Sequence, residues 1–194
     1  MLAFIPLQAQ WNIGGLIDLN LANISVSPEP SSEDYSGRVG FGIGFVANRP
    51  LTDDIYLQLE PMFLQKGAKI ETSEVSIVYK TSYLEIPVMF NYAFHLDGAV
   101  SPYAMAGPNL GFRLSAKYDI EGGSTQDEKE STSAVDFGLG FGGGVSIPHE
   151  NLTFFAETRY VFGLIDINSD SDEATVKNRG LQIILGVTVP LGKN

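Results

Sequence analysis

The chain has 194 residues, 44% of them hydrophobic, with 21 glycines and no cysteine. Disulfide staples and thiolate metal sites are therefore excluded, and one domain-sized core is the natural expectation. The formal net charge is −11, which argues against nucleic acid as a partner, because phosphate binding needs a basic surface.

In chain order, the first feature is the apolar run MLAFIPLQAQ, which reads as the tail of a secretory signal peptide over residues 1–9 and leaves residues 10–194 as a single domain. Period-two alternation then predicts eight strands, at about Trp11–Asn23, Ser36–Asn48, Asp54–Gly67, Tyr79–Phe94, Val100–Tyr118, Thr132–Ile147, Leu152–Ile165 and Arg179–Leu191. The fourth shows the pattern most clearly. Leu84, Ile86, Val88, Phe90, Tyr92 and Phe94 share one face, and Tyr83, Glu85, Pro87, Met89, Asn91 and Ala93 the other.

Connections alternate in kind. Arg49–Asp53, His95–Gly98 and Pro148–Asn151 are short and rich in turn formers. Between them lie four long segments, Ile24–Tyr35, Ala68–Val78, Asp119–Ser131 and Asp166–Asn178, which hold 14 acidic and 3 basic residues against 9 of each elsewhere. All the excess charge is thus in connections that an up-and-down meander gathers at one end. The chain has no uninterrupted apolar run long enough for a membrane-spanning helix. The predicted fold class is all-β, an eight-stranded antiparallel up-and-down transmembrane β-barrel. Outer-membrane lipid would surround it, with long loops extracellular and short turns and termini periplasmic.

The polar faces fix which side is the lumen. Gly40, Gly42 and Gly44 on the second strand and Gly138, Gly140, Gly142 and Gly144 on the sixth alternate with lipid-type residues, and the same faces carry Arg38, Glu60, Glu85, Arg113, Asp136, Glu157 and Arg159. Glycine rows punctuated by both signs of charge suit a crowded polar interior better than a solvated surface. Approximate registers place Asp136 next to Arg113, and Glu60 next to Glu85. The expected network pairs Arg113 with Asp136 and lets Glu60 and Glu85 share Arg38, Arg113 or Arg159, either as a plugged core or as a gated polar path. The segment DFGLGFGGGV also spells G-x-G-x-x-G, but that fingerprint needs a strand, a tight turn and a helix, whereas here the glycines lie inside one strand. On this reading the two glycine rows clear space for charged and aromatic groups projecting from other walls.

The stretches LQLEPMFLQKGAK, YLEIPVMFNYAF, SPYAMAGPNLGFRLSAK, VDFGLGFGGGV, ETRYVFGL and NRGLQIILGV resemble, in order and spacing, the PorT-like outer-membrane β-barrel family of Gram-negative envelopes. The resemblance implies a small barrel of the OmpA and OmpX kind, and it brings a possible place in a protein-secretion apparatus. The end, VTVPLGKN, departs from the terminal aromatic that many such barrels carry.

Two further stretches carry candidate chemistry. Asp166, Asn168, Asp170 and Asp172 recur at every second position, as in the start of a calcium-binding EF-hand loop. Ser171 stands where the turn glycine is needed, and Lys177 replaces the bidentate glutamate, so a solvated acidic loop is the better reading. His95 and His149 both fall in short turns, so no strand presents a general base at the external rim. The expectation is a non-catalytic barrel without cofactor, structural, adhesive or part of an envelope complex. A narrow channel or small-ligand binder is the alternative, and a lipid-modifying enzyme comes third; protein partners in the envelope are open, as is the oligomeric state.

Overall fold

A computed structural model describes residues 10–28, 34–71, 76–120, 125–169 and 174–192. The apolar N-terminal run at 1–9 lies outside the described residues. The strands are β1 (Asn12–Ser27), β2 (Asp34–Pro50), β3 (Ile55–Leu59), β4 (Met62–Glu71), β5 (Ser76–Ala93), β6 (Ser101–Ile120), β7 (Thr125–Asp127), β8 (Val135–His149), β9 (Leu152–Gly163) and β10 (Thr175–Pro190). Every pairing between them is antiparallel.

The ladders close into a ring. β1 pairs with both β2 and β10, the chain of partners runs on through β9, β8, β6 and β5, and β5 returns to β2 by way of β3 and β4. β3 and β4 are two halves of one wall strand, interrupted at Glu60–Pro61, where the proline has no N–H to donate. β7 is a three-residue strand folded back on the end of β6. Eight wall strands result, as the alternation predicts. Several outrun their sequence-based limits at the long-loop end: β6 reaches 20 residues and β5 reaches 18, whereas about 9–11 tilted residues span a bilayer.

The outer face is apolar because it meets lipid. Ile17, Phe41, Ile43, Phe45, Phe90, Leu114, Phe141 and Leu185 are all exposed large hydrophobics on it. Near the short turns the Arg49 guanidinium lies 5.5 Å from the Trp11 ring, and Tyr92 and Phe94 meet edge to face. This placement suits a membrane interface.

The core is the lumen, which is less uniformly polar than its charge pattern predicts. Leu16, Val46, Met62, Leu64, Phe155 and Ile184 form an apolar cluster inside the barrel. They reach one another across β2 because that strand has no side chains there: a Cβ on Gly44 would lie 2.4 Å from Met62 Cβ, and one on Gly42 would lie 2.9 Å from Leu64 Cδ1. Gly42 and Gly44 therefore make room for apolar groups of the adjoining strand rather than for charged groups from across the barrel, while a Cβ on Gly40 would strike Gln65 O at 2.3 Å.

Candidate functional site in the barrel lumen

Above the apolar cluster two charged layers fill the lumen. In the first, Arg159 is 1% exposed and pairs with Glu60, which is fully buried, while Arg159 Nε donates to Gln182 Oε1 at 2.6 Å. Gln58 Nε2 donates to Glu60 Oε1 at 2.6 Å and to Glu157 Oε1 at 2.8 Å, and Tyr103 OH donates to the same Glu157 oxygen at 2.7 Å. Asn91 Nδ2 donates to Gln58 Oε1 at 3.0 Å. Five wall strands thus meet through one set of side chains.

The second layer is built on Lys66. Its Nζ lies 2.6 Å from Glu85 Oε1 and 2.9 Å from Asp136 Oδ2, with the ammonium 5.0 Å from the Tyr83 ring centre. Asn178 Nδ2 donates to Asp136 Oδ2 at 2.9 Å. Asp18, buried beside these layers, has neither carboxylate oxygen hydrogen-bonded among the described residues.

At the long-loop end the described residues form a second apolar cluster. Ile167 is 1% exposed and packs on Tyr79 and Ala116, with Tyr118 and Val176 against them. Backbone hydrogen bonds hold it in place, Ile167 N to Val176 O at 2.8 Å and Ser133 N to Ile167 O at 2.7 Å, and the Tyr79 and Thr132 hydroxyls meet at 2.9 Å.

Glu60, Glu85, Asp136, Glu157 and Arg159 are buried in the lumen and Gly40, Gly42, Gly44, Gly138, Gly140, Gly142 and Gly144 lie on its inner wall, but the partnerships differ from those predicted. Asp136 lies opposite Gly111, not beside Arg113, because the β6–β8 ladder runs without a break from the Ser101–Ser146 pair to the Phe112–Val135 pair, a register three residues away from the one that would set Asp136 opposite Leu114. Arg113 instead donates from Nη1 to Lys129 O at 2.6 Å near the exposed rim. Arg113→Ala is accordingly expected to change the unfolding free energy by no more than about 0.5 kcal/mol, read from urea unfolding in detergent; a loss several times larger would restore a buried role for it.

Glu60 and Glu85 share no cation, since each has its own. Arg38 donates from Nη1 to Lys66 O at 2.8 Å. There it occupies a backbone carbonyl where the β2–β4 register shifts between Gly37 and Gly42, as Asn20 Nδ2 does for Gln65 O at 2.9 Å.

Asp18, Lys66, Gln58, Asn91, Asn178 and Gln182 are among the interior residues that charge-seeking along the sequence overlooks. Strand parity finds Lys66: Gln58, Glu60, Met62, Leu64 and Lys66 all point inward, straight through the break at Pro61.

The β8 glycines serve mixed ends. A Cβ on Gly144 would lie 2.6 Å from Tyr103 Cζ, so this glycine does clear an aromatic ring, but one on Gly142 would strike Thr158 O at 2.1 Å and one on Gly138 would approach Phe162 O at 2.7 Å, both backbone atoms of β9. Glycines outside the two rows support the polar interior as closely. A Cβ on Gly111 would lie 2.6 Å from Glu85 Oε1, and one on Gly180 would lie 2.7 Å from Asn20 Oδ1.

The calcium candidates divide. Asp170 and Asp172 lie outside the described residues. Asp166 Oδ1 accepts from Asn168 N at 2.9 Å and Val176 N at 2.8 Å, and Asn168 Nδ2 donates to Ala174 O at 3.0 Å, so these two side chains tie down the loop that carries Ile167. No group of three His, Asp or Glu that could hold a metal is found among the described residues. Of the histidines, His149 is exposed and His95 is an exposed turn residue whose Nδ1 lies 3.2 Å from Asp54 Oδ1.

A closed eight-strand ring with an apolar outside and a charged, side-chain-filled inside is the architecture of a small outer-membrane barrel. The family model described as "Outer membrane protein beta-barrel domain" matches residues 8–169. The chain belongs to that family. As a member of it, the protein is an integral outer-membrane β-barrel. Among solved structures it is similar to Neisserial surface protein A, at 20% identity over 93% of this chain and 97% of that one, with a TM-score of 0.55. It is also similar to outer membrane protein W of E. coli, at 12% identity over 94% and 98% of the two chains, with a TM-score of 0.54. These identities speak to the fold of this outer-membrane barrel. No functionally curated protein matches the sequence.

Proposed function

We propose that this outer-membrane barrel is non-catalytic and non-conducting, and that it works by presenting its acidic long loops as an extracellular recognition surface, either as an adhesive or structural protein or as a subunit of an envelope complex. The observation that carries this reading is the lumen. Both charged layers are buried and interlocked, and Ile167 covers the long-loop end. A rigid, filled scaffold leaves the loops as the variable surface on which recognition is commonly built.

The narrower kinship with the PorT-like family, and with it a place in a protein-secretion apparatus, belongs to the same proposal; it rests on the ordered stretches from LQLEPMFLQKGAK to NRGLQIILGV. So does the orientation, with long loops outside and short turns in the periplasm, the usual arrangement of such barrels.

Planar-bilayer recording tests the reading. The purified barrel is expected to give no steady single-channel current, and a steady unitary conductance would favour the narrow-channel alternative. Stoichiometric co-purification of another protein from native membranes would select the complex-forming version.

A further inference from the structure

The two ends of the lumen differ. Ile167, Tyr79 and Ala116 are buried across the long-loop end, whereas a cavity of about 350 Å³ occupies the turn end and extends to the exposed turn residues His95 and Leu96. Its volume is at the lower end of the range of small-molecule sites. Beyond it the lumen is filled by the Glu60–Arg159 layer, so the cavity is a blind cup.

The lining is specific in chemistry. It contains no Asp, Glu, Lys or Arg. Its polar groups are amides and hydroxyls, among them Asn12, Asn48, Asn91 and Thr188, with the His95 imidazole at the mouth, and Tyr56 and Phe155 add aromatic rings. Beneath it Gln58 and Tyr103 both donate to Glu157 Oε1, while Glu157 Oε2 is buried without a hydrogen-bond partner among the described residues. Apart from the turn imidazole of His95, the lining side chains are therefore uncharged.

One polar atom of the lining is unsatisfied among the described residues. Asn91 is 6% exposed, its Nδ2 donates to Gln58, and its Oδ1 has no hydrogen-bond partner among the described residues. A buried acceptor left unpaired is costly, and a ligand hydroxyl or amide N–H in the cup would relieve it once the Asn91 amide turns toward the cavity. Uncharged hydrogen-bonding groups alternating with ring faces match a sugar ring, which has hydroxyls at its edge and C–H groups on its faces.

We propose that this turn-end vestibule binds a neutral saccharide, and that, being blind, it admits only a free sugar or the terminal residue of a glycan chain. The site goes beyond the loop-recognition reading and shares with it only the closed long-loop end. A bilayer current would remove that closure, while saccharide binding would be decided by its own titration.

The test uses the full chain folded in an amine-oxide detergent, since maltoside headgroups would compete. N-acetylglucosamine and its β-1,4-linked trimer are titrated against ethanolamine and glucose 6-phosphate as charged probes, and the side-chain amide NMR signals of Asn91 and Gln58 are followed. Saturable shifts are expected with the neutral sugars, and at least tenfold weaker binding with the charged probes. A trimer that binds at least tenfold more tightly than the monosaccharide identifies a glycan end, and lesser discrimination identifies a free sugar.

Asn91→Leu should weaken binding tenfold or more. Ser146→Phe fills the cup without touching the Gln58 network and should abolish binding, which covers the case in which Asn91→Leu fails to fold. Absence of saturable shifts with both sugars, charged probes that bind as well as the sugars, or undiminished binding by Ser146→Phe would each overturn the proposal.

Discussion

Arg159→Met is expected to lower the unfolding free energy by about 3–5 kcal/mol, the cost of removing one partner from a buried ion pair. Arg159 is 1% exposed, Glu60 is fully buried against it, and Glu157 and Asp18 are buried nearby. Deleting the guanidinium leaves these carboxylates with no cation in their layer, and Gln182 Oε1 loses its donor. The penalty comes from the stranded charge rather than from lost attraction, so the double change Arg159→Met with Glu60→Gln should recover much of it. Urea unfolding in detergent, followed by the mobility difference between folded and unfolded bands, gives both values. A single variant that loses less than about 1 kcal/mol, or a double variant as unstable as the single, would show that the layer is not held by this pair.

The fold was legible because a barrel wall is written with period two. In β5 the residues from Tyr83 to Asn91 alternate without a slip, and in the structure Tyr83, Glu85, Pro87, Met89 and Asn91 are buried while Leu84, Phe90 and Tyr92 are exposed. The identity of most interior charges follows from the same parity. Their partners do not, because pairing depends on register, and register depends on single inserted residues. Leu114 in β6 and the shift between Gly37 and Gly42 in β2 each move a neighbour by one position, and the β6–β8 register, which sets Gly111 opposite Asp136, takes Arg113 away from it.

Lys66 was hidden differently. Met62 and Leu64 precede it on the inward face, and two apolar residues in a row read as lipid-facing unless parity is carried through from Glu60. Ile167 gave no local signal at all. It lies in an acidic, turn-like stretch, and its burial against Tyr79 and Ala116 exists only once β5, β6 and the loop before β10 have been brought together. The turn-end vestibule is equally non-local, since its lining comes from both termini of the wall, from the interior strands and from two of the three short connections.

Gly142→Ala is expected to destabilise the barrel by about 3 kcal/mol or more, at or beyond the upper end of ordinary overpacking. The added Cβ would lie 2.1 Å from Thr158 O and 2.6 Å from Arg159 Cα, and neither backbone atom can retreat without opening the β8–β9 ladder. Two neighbours serve as controls. Gly15→Ala would meet only Gly44 O, at 3.8 Å, and should change stability by no more than about 0.5 kcal/mol. Gly140→Ala is the sharper comparison, because it lies on the same face of the same strand and its nearest neighbour is Met89 Cε at 3.3 Å, the mobile end of a flexible side chain. If the β8 glycines existed chiefly to clear space for interior side chains, Gly140 and Gly142 would be about equally sensitive. If close backbone approach sets the requirement, Gly142→Ala should be the worse by about 2 kcal/mol or more, with urea midpoints of the three variants giving the order. Equal losses at Gly140 and Gly142 would return the row to the clearance role that its alternation with Phe137, Leu139 and Phe141 first suggests.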